Sequence, residues 1–305
     1  MASRDLDVGR LRLLREVGLR GTIAGAAREL GLTPSAVSQQ LAVLEREAGT
    51  SLVDRSPRGV SLTGAGHALA ARAGEVLDVL AAARADLDRL GGAPGGPVTV
   101  AAVASAALTF VSAAAHELAR THAGIELAVE AAEPGRALAL LLAGDAEVAV
   151  VDEYDYVPVA LPEGIVARDL CAEPLVLVVP VGWSGAARPA LGDLAAERWV
   201  MPPDDAACGL AVRSACRAAG FEPDVRWTSD DMLVLVSCVA AGHGIAVLPR
   251  LSVAAEAAPV ETRALRSPSL RRRLTAVARA SALARPSVNT VVEAIAARAA
   301  DVPAA

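Results

Sequence analysis

The chain has 305 residues, 53% of them hydrophobic and 21% charged, with a formal net charge of −6. That length supports two or three domains with cores of their own, and so large an apolar fraction excludes an intrinsically disordered chain. The four cysteines form no CxxC pair and no Cys-His cluster at zinc spacing, so neither a structural metal nor a cofactor is expected.

The charge is unevenly placed. All 29 basic residues are Arg; nine lie in residues 1–66 against seven acids, whereas residues 97–305 hold 17 against 24. The positive balance therefore belongs to the amino-terminal segment, and Arg grips phosphate through a planar fork, so the absence of Lys does not weaken such a contact. The opening MASRDLDVGRL carries Asp and Arg where a secretory signal needs an apolar run, which leads to the expectation of a cytoplasmic protein with free thiols. Two uncharged runs, 90–115 and 232–249, are broken by Gly, Pro or His and read as strands or turns joined to buried helices rather than as membrane spans.

In chain order, Leu11, Leu14 and Val17 mark one face of a first helix. Ile23, Ala27 and Leu30, then Val37, Leu41 and Leu44, repeat at i, i+4, i+7, giving two short helices with one narrow buried face each. Gly31 separates them because it enters the left-handed conformation freely, Thr33 caps the second, and Pro34 sits where a missing N–H does no harm. A small β-hairpin follows up to residue 66. That layout is a winged helix-turn-helix, which places its second helix in the DNA major groove.

Residues 63–90 contain no Pro, and Leu69, Ala73, Val76, Leu80, Ala83, Leu87 and Leu90 are spaced alternately by four and three, the seam of a helix that pairs with another. GGAPGGP, residues 91–97, ends it as a hinge. Beyond it, strands are predicted at 98–103, 125–130, 147–151, 175–179, 224–227 and 245–248. Helices are predicted at 106–121, 136–142, 210–219, 232–241 and 288–300. The alternation predicts two α/β subdomains with largely parallel sheets, with segments 260–265 and 273–278 returning to the first. The expected domains are 1–66, 67–96, 97–170 with 262–305, and 171–261.

Residues 21–66 resemble the DNA-binding domain of the LysR-type transcriptional regulators. The match is carried by Thr22, Ala26, Ala27, Leu30, Ala36, Val37, Ser38, Leu41, Leu44 and Glu45, then Gly49, Leu52, Arg55, Gly59, Leu62, Thr63 and Gly66. Val53 departs from the family's usual Phe, which implies a slightly less filled core; Pro34-Ser35 departs from Gln-Pro and Gln39 from a frequent Arg, so base preference does not carry over. The remainder is similar to the family's effector-binding domain, itself like periplasmic solute-binding proteins. It matches through LAGDAEVAVV (142–151), CAEPLVLVVP (171–180), LAAERWVMPP (194–203), CRAAGFEP (216–223) and VAAGHGIAVLP (239–249), with Glu147 where Asp is usual. The resemblance implies dimerisation through the linker helix, assembly as dimers or tetramers, and response to a small-molecule effector.

Base reading is expected from Ser35, Ser38 and Gln39 on the exposed start of the second helix; Gln39 can pair bidentately with adenine. Thr22, Thr33, Pro34, Arg55 and Thr63 are candidates at the phosphates, and Arg58, in the wing turn, for the minor groove. The effector is expected in the cleft between subdomains, at the carboxyl ends of strands: Ala104 and Ser105, Asp205 and Ala206, Thr228 and Ser229, and His243 between two glycines. Helix amino termini there would favour an anion. Two alternatives stand beside this reading. One is a thiol-based redox sensor using Cys208 and Cys216; the other is a solute-binding protein, which leaves residues 1–90 unexplained. No phosphate loop, GxGxxG after a strand, GxSxG elbow or HExxH helix supports an enzyme.

Overall fold

A computed structural model of the chain describes residues 5–56, 59–89, 94–162, 164–254, 258–266 and 270–302. The amino-terminal head forms as its periodicity predicts. Helix α1 (Val8–Arg20) begins at Asp7, whose side chain accepts the Arg10 N–H, and ends at Gly21. Helices α2 (Ile23–Glu29) and α3 (Pro34–Ala48) are capped by Thr22 and Thr33. Leu11, Leu14, Val17, Ala26, Ala27, Val37, Leu41 and Leu44 share one core, where each Leu side chain contributes about 1.5–3 kcal/mol by leaving water. Strands β1 (Val53–Ser56) and β2 (Gly59–Leu62) pair antiparallel with Ser56 opposite Gly59. Gly66 is required behind it, because a Cβ there would collide with the Leu52 carbonyl.

Helix α4 (Gly64–Arg89) is continuous, but its apolar seam divides. Leu69 and Ala73 pack into the head, whereas Val76, Val79 and Leu80 stay 40%, 61% and 48% exposed. Seven residues along an α-helix turn the stripe by only about 20°, so Leu80 lies on nearly the same side as Ala73. It is exposed because α4 has there run beyond the core of the head. The side chains of Leu87 and Leu90, and hinge residues 91–93, lie outside the described residues.

The sensor region starts with β3 (Gly96–Ala102), and α5 (Ala104–Ala106) leads through a π turn (Ala107–Val111) into α6 (Ser112–Thr121). It continues through β4 (Ile125–Ala131), α7 (Pro134–Ala143), β5 (Val148–Tyr154) and a 16-residue β6 (Ile165–Pro180). Then come β7 (Arg198–Met201), α8 (Ala207–Ala218), β8 (Asp224–Thr228), α9 (Met232–Ala240), β9 (Ala246–Pro249) and α10 (Arg250–Ala254). The last elements are β10 (Val260–Arg263), β11 (Arg271–Arg279), α11 (Ala280–Leu283) and α12 (Pro286–Ala299).

Two subdomains are present, but not as two largely parallel sheets. The strand order is β10-β6-β11-β5-β3-β4, with β9 also on β6, and only β7 and β8 stand apart. Parallel pairing joins β3 to β4 and β5, and β7 to β8, with one further parallel bridge from Trp199 of β7 to Ile245 just before β9. Strands β6, β10 and β11 run antiparallel to their partners, as does β9 to β6. Strand β6 begins ten residues before the apolar run that suggested it and crosses from one subdomain to the other. Its first half, IVARDLCA, is exposed or half-buried, and the charged Arg168 and Asp169 interrupt its apolar residues, so no continuous buried run marks it. A second correction concerns 260–265: β10 pairs with Leu177–Pro180 on the second-subdomain half of β6, and Leu265 and Leu270 pack beside Trp199 and Ile245. The chain re-enters the first subdomain only with β11.

Candidate nucleic-acid interface and sensor cleft

The outward face of α3 carries Ser35 and Gln39 exposed and Ser38 half-buried. Thr33 Oγ1 accepts the Ala36 N–H at 3.2 Å and lies 3.0 Å from Ser35 Oγ, so the cap also orients a base-reading candidate. Thr22 Oγ1 accepts the Gly25 N–H at 3.0 Å, and a hydroxyl used in this way still has its proton to donate. Thr63 differs: its hydroxyl donates to the Ser51 carbonyl at 2.9 Å while accepting the Gly66 N–H at 3.0 Å, which ties the wing to α4. Pro34 is exposed in the first turn of α3. Arg58 and the side chain of Arg55 lie outside the described residues.

Two positioning contacts in the head were not read from the sequence. Glu45 Oε1 accepts the N–H groups of Leu52 at 2.8 Å and Val53 at 3.2 Å, which sets the angle of the wing against α3. Arg10 grips Glu47 at 2.6 Å and reaches Gln40 at 3.3 Å, which fixes α1 on α3. Their signal was only a pair of acids late in a helix, ordinarily a solvated face.

In the sensor, the first predicted residue to be placed is Ser105, and it is buried and occupied. Its Oγ accepts from Arg272 Nη2 at 2.9 Å. The same guanidinium donates from Nη1 to Asp152 at 3.1 Å and from Nε to Glu173 at 2.9 Å, with Nη2 also on Glu173. Glu173 Oε2 in turn accepts the Leu251 N–H at 2.7 Å, and the Tyr154 hydroxyl donates to Asp152 at 2.9 Å. One arginine thus joins β11, β5, β6 and the start of α5 at the junction of the subdomains. Burial opposes its charge, and Tyr154, Glu173 and Asp152 outweigh that, holding it protonated above the ordinary arginine value. Desolvation raises the Glu133 carboxyl at the start of α7, as do the charges of Asp152 and, from the second subdomain, Asp230; Arg272 works the other way.

These contacts alter the sequence reading. Ser105 holds Arg272 rather than facing an open cleft. Around the Arg272 guanidinium lie the carboxyls of Asp152 and Glu173, and Glu133 feels the charges of Asp152, Arg272 and Asp230. Ala104 and Thr228 are exposed, and Ser229 Oγ accepts the Asp231 N–H at 3.1 Å in the loop that carries Asp230. Asp205 is exposed and Ala206 begins α8 without a side-chain cap. His243 stacks on Trp227, the residue before Thr228 in β8, with ring centres 4.9 Å apart, and the adjoining Gly244 abuts the Arg198 carbonyl.

Cys208 and Cys216 are buried and free on the same helix, α8. Eight helical residues span about 12 Å, beyond the reach of a disulfide. Burial pushes both thiols up to about 12. Among the described residues no group of three His, Cys, Asp or Glu side chains could hold a metal ion, and no helix is long and apolar enough to cross a membrane.

Comparison with known proteins accounts for both halves. Residues 8–67 match the family of bacterial regulatory helix-turn-helix proteins of the lysR type, and residues 91–300 match the LysR substrate binding domain. The small neutral protease regulatory protein of Streptomyces coelicolor is 31% identical over 244 residues, 77% of this chain and 75% of the relative. A hydrogen peroxide-inducible genes activator of Pectobacterium carotovorum is 28% identical over 76% of each chain. Among solved structures, full-length OxyR of Pseudomonas aeruginosa has the same fold at a TM-score of 0.75 and 19% identity, covering 95% of both chains. Full-length CbnR in complex with its target DNA matches at 0.59 and 19% identity, over 95% of this chain and 99% of that one. A winged reading head on a long helix, joined to a two-subdomain sensor and matched by family along nearly its whole length, identifies this chain as a LysR-type DNA-binding transcriptional regulator.

Proposed function

We propose that the chain reads a two-fold symmetric DNA site as a dimer, through Gln39, Ser35 and Ser38 in successive major grooves, and adjusts that reading when a small molecule occupies the sensor cleft. The observation that carries this is the head, where a capped α3 presents an exposed polar face beside the β1–β2 wing. Thr22 and Thr33 are the proposed phosphate contacts, joined by Arg55 and Arg58. A regulator of this kind acts by binding rather than by catalysis, where DNA is found, in the cytoplasm.

The outward part of the α4 seam, Val76, Leu80 and Ala83, with the neighbouring Val79, is the proposed dimer contact. Three of these are large apolar groups left in water on one helix face, which a second copy of the same stripe would cover.

The effector site is proposed at the subdomain junction, between Ala104 and Glu133 on one side and Thr228, Ser229 and Asp230 on the other. The carboxyls around Arg272 support a neutral or positively charged ligand that donates hydrogen bonds. The redox alternative finds little support in the thiols, because a nucleophilic cysteine must be largely thiolate near neutral pH and these are held protonated.

Three outcomes test this. Gln39→Ala should lose about 1–3 kcal/mol of discrimination at one base pair, measured as binding to operator variants, while affinity for unrelated DNA stays the same; unchanged discrimination would remove Gln39 from the reading. Leu80→Asp should halve the mass seen by light scattering, and a wild-type mass would show that the linker is not the contact. Peroxide followed by mass spectrometry of the folded protein should find Cys208 and Cys216 unmodified at pH 7, whereas rapid oxidation of either would revive the redox reading.

A further inference from the structure

The reading head and the sensor also meet face to face, through a polar contact buried between α4 and the far end of β11. Arg279 Nε donates to Asp78 Oδ2 at 2.6 Å and its Nη2 to Asp78 Oδ1 at 3.1 Å. Asp78 is 5% exposed and Arg279 6%. The remaining nitrogen, Nη1, donates to the Ala146 carbonyl at 3.1 Å, and the Ser281 hydroxyl donates to Asp78 Oδ2 at 3.0 Å. Beside it, Arg15 of α1 lies 4.0 Å from Asp145. The exposed pair Arg72–Glu75 on the same helix is screened by water and salt. The Asp78–Arg279 pair is dry and geometrically fixed, so parting it leaves a charge without a partner.

The position of Arg279 gives the pair its meaning. It ends β11, the strand that carries Arg272, seven residues or about 23 Å away. Strand β11 is hydrogen-bonded to β5 on one side and β6 on the other along that length, so its two ends cannot shift independently. One end is held by Ser105, Asp152 and Glu173 at the subdomain junction. The other is held by the linker helix.

We propose that the Asp78–Arg279 pair is an intramolecular latch through which β11 fixes the angle of the linker helix, and with it the reading head, to the state of the cleft. The direction of the signal rests on the effector site proposed above; the latch itself needs no effector. Closed, it seats α4 against α7 and α11. Open, it releases α4 from both. A ligand that displaces the Arg272 partners moves β11 and changes the balance between these two states, which is what coupling between separate sites requires.

Double electron–electron resonance on the full chain tests this, with nitroxides on Arg28→Cys in the head and Glu126→Cys in the sensor, diluted with unlabelled chain to suppress signals between copies. The wild type should give one narrow distance. Asp78→Asn, which keeps the shape and removes the charge, should lose it in favour of a broad distribution. Arg272→Gln, at the opposite end of the strand, should broaden it as well. If circular dichroism shows that variant to be unfolded, Ser105→Ala carries the same arm. A wild-type distance in Asp78→Asn would overturn the latch. Broadening in Asp78→Asn with a wild-type distance in the Arg272 or Ser105 variant would overturn its link to the cleft. No arm includes an effector, so an effector site lying elsewhere would produce neither result.

Discussion

Arg272 is the charge around which the sensor is assembled. Its guanidinium spends its donors on Ser105, Asp152 and Glu173, which come from the start of α5, from β5 and from β6. Glu173 stands where β6 passes from one subdomain to the other and also accepts a backbone N–H from α10. Removing one partner from a buried pair typically costs about 3–5 kcal/mol, because the survivor stays charged and dry. The subdomain angle is therefore held by polar contacts of defined direction, where apolar packing alone would tolerate sliding.

The same strand explains how a sensor can address a head built from other residues. β11 takes Arg272 inward on one face and Arg279 on the other, with Leu274, Ala276 and Val277 buried between them. The head is rigid in its own right, through Glu45 on the wing and Arg10 on α3. A turn of α4 therefore turns the whole reading surface. Neither half needs to change its fold for the spacing of two heads in a dimer to change.

The head was legible because its signals are local: caps, a left-handed glycine and two apolar faces at helical spacing. The sensor's strand-helix alternation was legible for the same reason. The rest depends on distant partners. None of Arg271, Arg272 and Arg273 was singled out from the sequence, but in a strand neighbours point to opposite faces, and of the three only Arg272 is buried. Once that segment is known to be a strand, the period of two selects it. Asp78 falls off the apolar seam of α4, as a surface residue would, and only Arg279, 201 positions later, gives it a role. Ser105 was placed correctly after the first strand, but its partner lay 167 residues away, so an occupied hydroxyl was read as a free one. The early half of β6 was missed because Arg168 and Asp169 interrupt its apolar residues, and β10 was misassigned because a four-residue edge strand is as compatible with one subdomain as with the other.

The central claim is that a change at Arg272 is felt at the linker helix. Hydrogen exchange of the full chain, wild type against Arg272→Gln, tests it most directly, since amide opening reports local stability element by element. The account predicts faster exchange in β5, β11 and the middle of β6, and also in α4 around Asp78, with α3 unchanged. Faster exchange confined to the strands around Arg272, with α4 as slow as in the wild type, would contradict it.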